Sequence, residues 1–130
     1  MPDTIRGSVE VPGETRSRVE LGPDAADMLR HLWAVHGPLM MHQSGGCCDG
    51  SSPMCYPDGE LITSEADILL GRLDLGEGRV MPFWMSREQF AYWQHTVLRV
   101  ETVPGRGSGF SLEAPEGVRF LIRSRLVDEN

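Results

Sequence analysis

The residues best suited to chemistry in this 130-residue chain lie in one glycine-rich segment, residues 42–56. The segment reads HQSGGCCDGSSPMCY and holds His42 and all three cysteines of the chain, Cys47, Cys48 and Cys55. Thiolates and imidazoles are ligands that zinc and iron favour, and glycines allow a loop to turn sharply enough to aim side chains at one ion. The segment therefore predicts a zinc or iron site. Cys47 and Cys55 are the first candidate ligands, and Cys48 and His42 are ligands or supporting partners.

Two alternatives remain open for the same cysteines. A thiol among backbone amides can have a lowered pKa, so Cys47 or Cys48 could instead be the nucleophile of a thiol-dependent enzyme or redox partner. All three could also be small buried residues that pack a structured loop. The spacing differs from the paired C-x₂-C pattern of zinc sites, and adjacent side chains on extended backbone point apart.

Composition and charge exclude several classes of protein. The net charge is −7, and arginine is the only basic residue besides histidine. The arginines form no cluster, and an acidic surface repels phosphate groups, so nucleic-acid binding is not expected. No apolar run approaches the ~20 residues of a membrane span, and the N-terminus lacks the apolar region of a signal peptide. Three clustered cysteines do not suit a secreted disulfide framework. We expect a cytoplasmic protein that binds neither nucleic acid nor membranes.

Hydrophobic periodicity and turn signals predict an α+β fold with a mostly antiparallel sheet. The clearest helix is Pro23–His36, which Gly37 and Pro38 end. A second short helix begins after Ser86, within a capping-box pattern, and runs over 87–95. The predicted strands are residues 38–43, 67–75, 79–85, 96–103 and 117–127. Gly76-Glu77-Gly78 joins the second and third of these as a hairpin, and Pro82 indicates an edge or a bulge.

The predicted domain organisation is simple. Residues 1–18 have little periodicity and are predicted to be a flexible N-terminal lead-in, and residues 19–127 to be a single globular domain. The aromatic run PFWMSREQFAYW is dense enough to line a pocket or the interface of a homodimer.

The motifs HGPLMMHQSGGCCDGSSPMCYP, ILLGRLD, FWMSREQFAYW and VPGRGSGFSLEAPEGVRFLIRSR resemble a bacterial family, domain of unknown function 779. The resemblance runs from about Val19 to Arg125. Members of this family are often encoded beside aldehyde dehydrogenases. The resemblance therefore implies an accessory role in aldehyde or alcohol metabolism, with an aldehyde dehydrogenase as a candidate partner. The clustered thiols favour a non-enzymatic metal-binding protein for that role.

At the level of the fold, the chain also resembles the HesB-like A-type iron–sulfur carriers. The shared order is an N-terminal helix, a Gly45-Gly46-Cys47 loop and a later Ser108-Gly109-Phe110 segment before Ala114-Pro115. This resemblance implies a HesB-like β-sandwich and assigns Cys47 to the first ligand position of the carriers. Their C-terminal Cys-Gly-Cys pair is absent, so zinc or iron is a better expectation than an iron–sulfur cluster.

Overall fold

A computed structural model describes residues 4–43, 52–60, 63–93, 95–105 and 111–126 of the chain. Within these residues the fold is α+β, and none of the helices is long and apolar enough to cross a bilayer. In chain order, the elements are β1 (Ile5–Arg6), β2 (Val19–Leu21), α1 (Pro23–His36), β3 (Leu39–Gln43), β4 (Met54–Pro57), β5 (Asp67–Asp74), β6 (Val80–Ser86), α2 (Arg87–Trp93), β7 (Thr96–Pro104) and β8 (Val118–Leu126). A turn of 3₁₀ helix, Ala114–Glu116, precedes β8.

The described strands form two four-stranded sheets. Sheet A has the order β1-β2-β7-β8, and sheet B has the order β4-β3-β6-β5. Neighbouring strands are antiparallel, except that β2 is parallel to β7 and β3 is parallel to β6. The sequence predicts a mostly antiparallel sheet; four of the six described strand pairings are antiparallel, but the strands form two mixed sheets rather than one. The difference arises because periodicity identifies strands and says little about which strands become neighbours.

One hydrophobic core lies between the sheets. On β6, Met81, Phe83 and Met85 are buried, whereas the intervening Pro82 and Trp84 are half-buried, because successive side chains of a strand lie on opposite faces. Sheet A contributes its inward residues to the same core: Val19, Leu21, Leu98, Val100, Phe120 and Ile122. The apolar face of α1 adds Ala25, Ala26, Leu29 and Leu32. A single continuous core is what one domain of this size builds.

Helix α1 has the bounds that the sequence predicts, Pro23–His36. Proline suits the first helical position because its φ is fixed near the helical value, and Gly37 ends the helix with a φ of 85°. The helix is not the N-terminal element, however, because β1 and β2 precede it. Strand β1 lies within the segment 1–18 that the sequence predicts to be a flexible lead-in, and it pairs with β2 of the predicted domain. The flexibility of that segment and the boundary at residue 18 stay predictions.

The β5–β6 hairpin confirms the turn predicted from Gly76-Glu77-Gly78. All three residues have positive φ, and the N–H of Leu75 donates to the carbonyl of Arg79 across the turn at 2.7 Å. Pro82 lies on an interior strand rather than an edge, and the pairing of β6 with β5 has a register shift close to it, between Leu69 and Gly71 of β5. The β3 register reaches only Phe83–Met85 of β6, so a proline that cannot donate costs no bond on that side.

Helix α2 begins where the serine cap predicts. The N–H of Gln89 donates to Ser86 Oγ at 3.1 Å, which satisfies one of the free donors in the first turn. The described helix runs over Arg87–Trp93, and the predicted last residue, His95, lies in a turn instead.

The outer face of sheet A carries a network of ion pairs around one buried carboxylate. Glu20, at 4% exposure, accepts hydrogen bonds from Arg99 at 2.7 Å and from Arg125 at 2.8 Å. Burial by itself would raise the pKa of Glu20, but the hydrogen bonds and charges of Arg125 and Arg99 outweigh it and lower the pKa below its ordinary value. Glu20 therefore ties β2 to both β7 and β8.

Because this pKa is lowered in the folded state, the stabilisation from Glu20 is present above its ordinary pKa of 4.5 and is lost as the pH falls through the folded value. Glu20→Gln is expected to lower the free energy of unfolding at about pH 7 by roughly 1–3 kcal/mol. The variant should also lose part of the wild-type acid sensitivity. Urea unfolding between about pH 3 and 7 measures both effects. Glu77→Gln, in the exposed hairpin turn, is the control, and equal acid sensitivity of wild type and Glu20→Gln would contradict the assignment.

Candidate functional site

His42 lies near the end of β3, an inner strand of sheet B. Its neighbour Met41 belongs to the core, so the alternation of the strand places the imidazole on the outer face of the sheet. Its Cα partners there are Met54 on β4 and Trp84 on β6, which are both half-buried. The imidazole side chain is only 8% exposed. A nearly buried histidine on an outer sheet face requires a polar partner.

The partner is Asp67, the first residue of β5. His42 Nε2 lies 2.7 Å from Asp67 Oδ1, and the contact joins β3 to β5 across the intervening strand β6. Asp67 Oδ2 accepts the backbone N–H of Ser64 at 3.0 Å. Burial acts to raise the pKa of Asp67, but the hydrogen bond from His42, the amide of Ser64 and the charge of His42 together lower the pKa below its ordinary range. Asp67 is therefore a carboxylate at neutral pH.

Cys55 lies on the opposite face of sheet B. It is the Cα partner of Met41, is fully buried and belongs to the core cluster. Burial, together with the nearby charge of Glu113, raises the pKa of the Cys55 thiol. The thiol is therefore protonated at neutral pH, which is the opposite of the condition that makes a cysteine a nucleophile or a ligand.

The structure separates the two predicted site residues that it describes. His42 and Cys55 occupy adjacent register positions on neighbouring strands, but on opposite faces, so they do not converge on one ion in this arrangement. Cys47 and Cys48, the other two predicted ligands, lie outside the described residues, as does most of the loop that connects β3 to β4. Within the described part of the chain, no three His, Cys, Asp or Glu side chains are grouped closely enough to hold a metal.

A second buried carboxyl group lies behind β4. Ser111 Oγ accepts the N–H of Cys55 at 2.8 Å and donates a short hydrogen bond to Glu113, which is 1% exposed. The N–H of Leu112 also donates to the carbonyl of Cys55 at 3.1 Å. These bonds attach residues 111–113 to the free edge of β4. Sequence analysis does not predict this cluster, because nothing in the letters SLEAPE distinguishes a buried glutamate from an exposed one.

Glu113 should give the protein a pH dependence opposite in sign to that of Glu20. Burial raises the pKa of Glu113, although hydrogen bonds from Ser111 and from backbone amides partly offset it. Its contribution to stability is therefore complete below its ordinary pKa of 4.5 and is lost as the pH rises through the folded value. Glu113→Gln is expected to abolish this loss, as measured by urea unfolding from about pH 4.5 to 8. Glu116→Gln, at an exposed position, is the control. If the free energy of unfolding of Glu113→Gln falls with rising pH as steeply as that of the wild type, the prediction is refuted.

An open pocket with a volume of about 390 Å³ adjoins β4. The residues that line it are Met54, Tyr56, Pro57, Glu60 and Leu112. Met54 is the register partner of His42, whereas Leu112 is bonded to the backbone of Cys55, so the pocket extends along β4 towards its free edge. Its volume is within the range of small-molecule sites.

Asp67 is the site residue that sequence analysis misses. It lies far from His42 in the sequence, and a carboxylate at the start of a strand is an ordinary feature. The hydrophobic pattern predicts both β3 and β5, but the contact depends on β6 pairing with each of them. No local signal in the sequence reports that arrangement.

Comparisons with known proteins agree with the resemblance noted above. Residues 28–126 match the model of the family described as a domain of unknown function, DUF779. Neither a curated protein nor a solved structure shows significant similarity to the chain, so the HesB-like resemblance stays a prediction. The match covers most of the chain, including β3, β5 and the glycine-rich segment between them. The chain is therefore a member of the DUF779 family.

Proposed function

We propose that this protein binds one zinc or iron ion at the end of β3, with the imidazole of His42 and the thiolates of Cys47 and Cys48 as ligands. The observation that supports this proposal is the hydrogen bond between His42 and Asp67. In metal sites, a ligating histidine almost always donates its other ring nitrogen to a carboxylate, a carbonyl or water. An imidazole held in this way, at the start of a loop that contains two cysteines, has the chemistry of a ligand.

The proposal departs from the sequence-based ligand set in one respect. Cys55 is the cysteine whose surroundings oppose metal binding, because its thiol is buried among apolar side chains on the core side of sheet B. A thiol must lose its proton to bind a metal, and burial makes that loss costly. Cys47 and Cys48 follow His42 closely in the sequence, so a short loop can bring either thiolate to the imidazole. A bound ion would supply a fixed positive charge at the end of β3.

Elemental analysis tests the proposal. Protein without a histidine tag, purified without chelators, is analysed for zinc and iron beside Cys47→Ala, Cys48→Ala and Cys55→Ala. We expect about one ion per chain in the wild type and in Cys55→Ala, and loss of the ion in the other two variants. Cys55→Ala is the matched control because it removes a thiol that lies on the core face of sheet B, opposite to His42. Wild-type protein that is free of metal and keeps its thermal stability in a chelator would refute the proposal.

The same hydrogen bond also supports a second function, that of a thiol-dependent enzyme. A carboxylate that orients a histidine is the arrangement that activates a nucleophile, and Cys47 or Cys48 would be that nucleophile. The rate of iodoacetamide labelling against pH distinguishes the two functions. One thiol that reacts rapidly well below pH ~8.5, and slowly in His42→Gln, would favour the enzyme. Protection of both thiols that a chelator relieves would favour metal binding.

The physiological role that we propose, an accessory function in aldehyde or alcohol metabolism, rests on the family resemblance alone. An aldehyde dehydrogenase is the partner that this resemblance implies. Co-purification of the two proteins, with and without added zinc, tests that association. Failure to associate at micromolar concentrations would argue against the partner but would leave the metal site untouched.

A further inference from the structure

Both oxygens of the Asp67 carboxylate are held in place. Oδ1 lies 2.7 Å from His42 Nε2, and Oδ2 accepts the backbone N–H of Ser64 at 3.0 Å. The turn that supplies this amide is itself closed, because Ser64 Oγ accepts the N–H of Ala66 at 3.2 Å and the carbonyl of Ser64 accepts the N–H of Asp67 at 3.0 Å. The carboxylate therefore has a fixed position at the start of β5. Its hydrogen bond to the imidazole spans the intervening strand β6.

The chemistry of this contact determines which ring nitrogen carries the proton. A carboxylate can only accept hydrogen bonds, so His42 Nε2 must be the donor. A neutral imidazole has a single N–H, which leaves the lone pair on Nδ1. We infer that Asp67 is a positioning residue that holds His42 in the Nε2–H tautomer and presents Nδ1 as the atom that binds the ion. The role of Nδ1 as a ligand rests on the proposed function, whereas the tautomer does not.

The choice of Nδ1 also restricts where an ion can lie. Nε2 points across β6 towards β5, and Asp67 already occupies that direction. Nδ1 is bonded to the ring carbon that joins the side chain, so an ion on Nδ1 lies close to the backbone of β3.

Nitrogen NMR of the histidines tests the inference. Metal-free protein labelled with ¹⁵N-histidine is studied at alkaline pH, after the imidazole signals have stopped changing with pH, and His42 is assigned by its absence in His42→Gln. We expect a lone-pair signal for Nδ1 and an N–H signal for Nε2. In Asp67→Asn the two tautomers should mix, because an amide can either accept from Nε2 or donate to it. Glu116→Gln, which removes the partner of the exposed His31, is the control and should leave His42 unchanged.

Added zinc provides the second measurement. The Nδ1 signal should move on binding while Nε2 keeps its proton, and Asp67→Asn should weaken zinc affinity by about 10–100-fold. A proton on Nδ1 in the wild type, or a His42 spectrum that Asp67→Asn leaves unchanged, overturns the inference. A shift of Nε2 on zinc binding also overturns it. If zinc does not bind, the proposed function fails, and the wild-type spectrum still decides the tautomer even where the variant is too unstable to study.

Discussion

Replacing His42 with glutamine is expected to lower metal affinity by more than about 100-fold, while the protein stays folded. Loss of a partner that only supports a ligand costs about 10–100-fold, so loss of the ligand itself should exceed that range. Glutamine retains an N–H group that can donate to Asp67, so the variant keeps the link between β3 and β5 but lacks the imidazole. Affinity is measured by competition with a zinc indicator.

The control for this experiment is His31→Gln. His31 is half exposed on α1 and is paired with Glu116 rather than with Asp67, so this variant should bind metal as the wild type does. His42→Ala provides a further comparison. Alanine leaves Asp67 without its partner and should cost about 1–3 kcal/mol of stability, which separates the structural effect from the effect on metal binding. Full metal content in His42→Gln would contradict the assignment of His42 as a ligand.

Replacing Phe83 with alanine is expected to lower the free energy of unfolding by about 3–5 kcal/mol, the usual cost of removing a buried aromatic side chain. Phe83 is fully buried at the centre of β6 and belongs to the core between the sheets. Its partner on β3 is Met41, the residue before His42, so loss of the ring should also loosen the end of β3. Urea unfolding measures the cost.

A matched variant on the same strand is Val80→Ala. Val80 is 44% exposed, so its truncation should change stability by no more than about 0.5 kcal/mol. Phe83→Leu should be intermediate because it retains most of the apolar volume. A cost below about 1 kcal/mol for Phe83→Ala would mean that the core does not pack around this residue as described.

Local signals in the sequence account for the helix starts and the hairpin. Pro23 and Gly37 mark the ends of α1, and Ser86 marks the start of α2, because each residue meets a need of the backbone within one turn. The turn between β5 and β6 is equally local, since two glycines permit the positive φ values that it needs. Features that depend only on neighbouring residues were therefore predictable.

The arrangement of the site was less predictable for a physical reason. His42 and Cys55 belong to one compact sequence motif, which suggests a shared ion. The strand pairing places Cys55 opposite Met41, and a difference of one register position sends the two side chains to opposite faces. Sequence spacing cannot report register, because register depends on how the whole sheet meets the core.

By itself, the sequence determined the family, the α+β class, the bounds of α1 and the position of the glycine-rich segment that contains the cysteines. Only the tertiary structure decided that the strands form two mixed sheets, that Cys55 belongs to the core, and that Asp67 holds His42 from across β6. Caps and turns arise from short-range sterics and hydrogen bonds, which a few adjacent residues specify. Strand partners and faces follow from the burial of one shared core, which every element determines together.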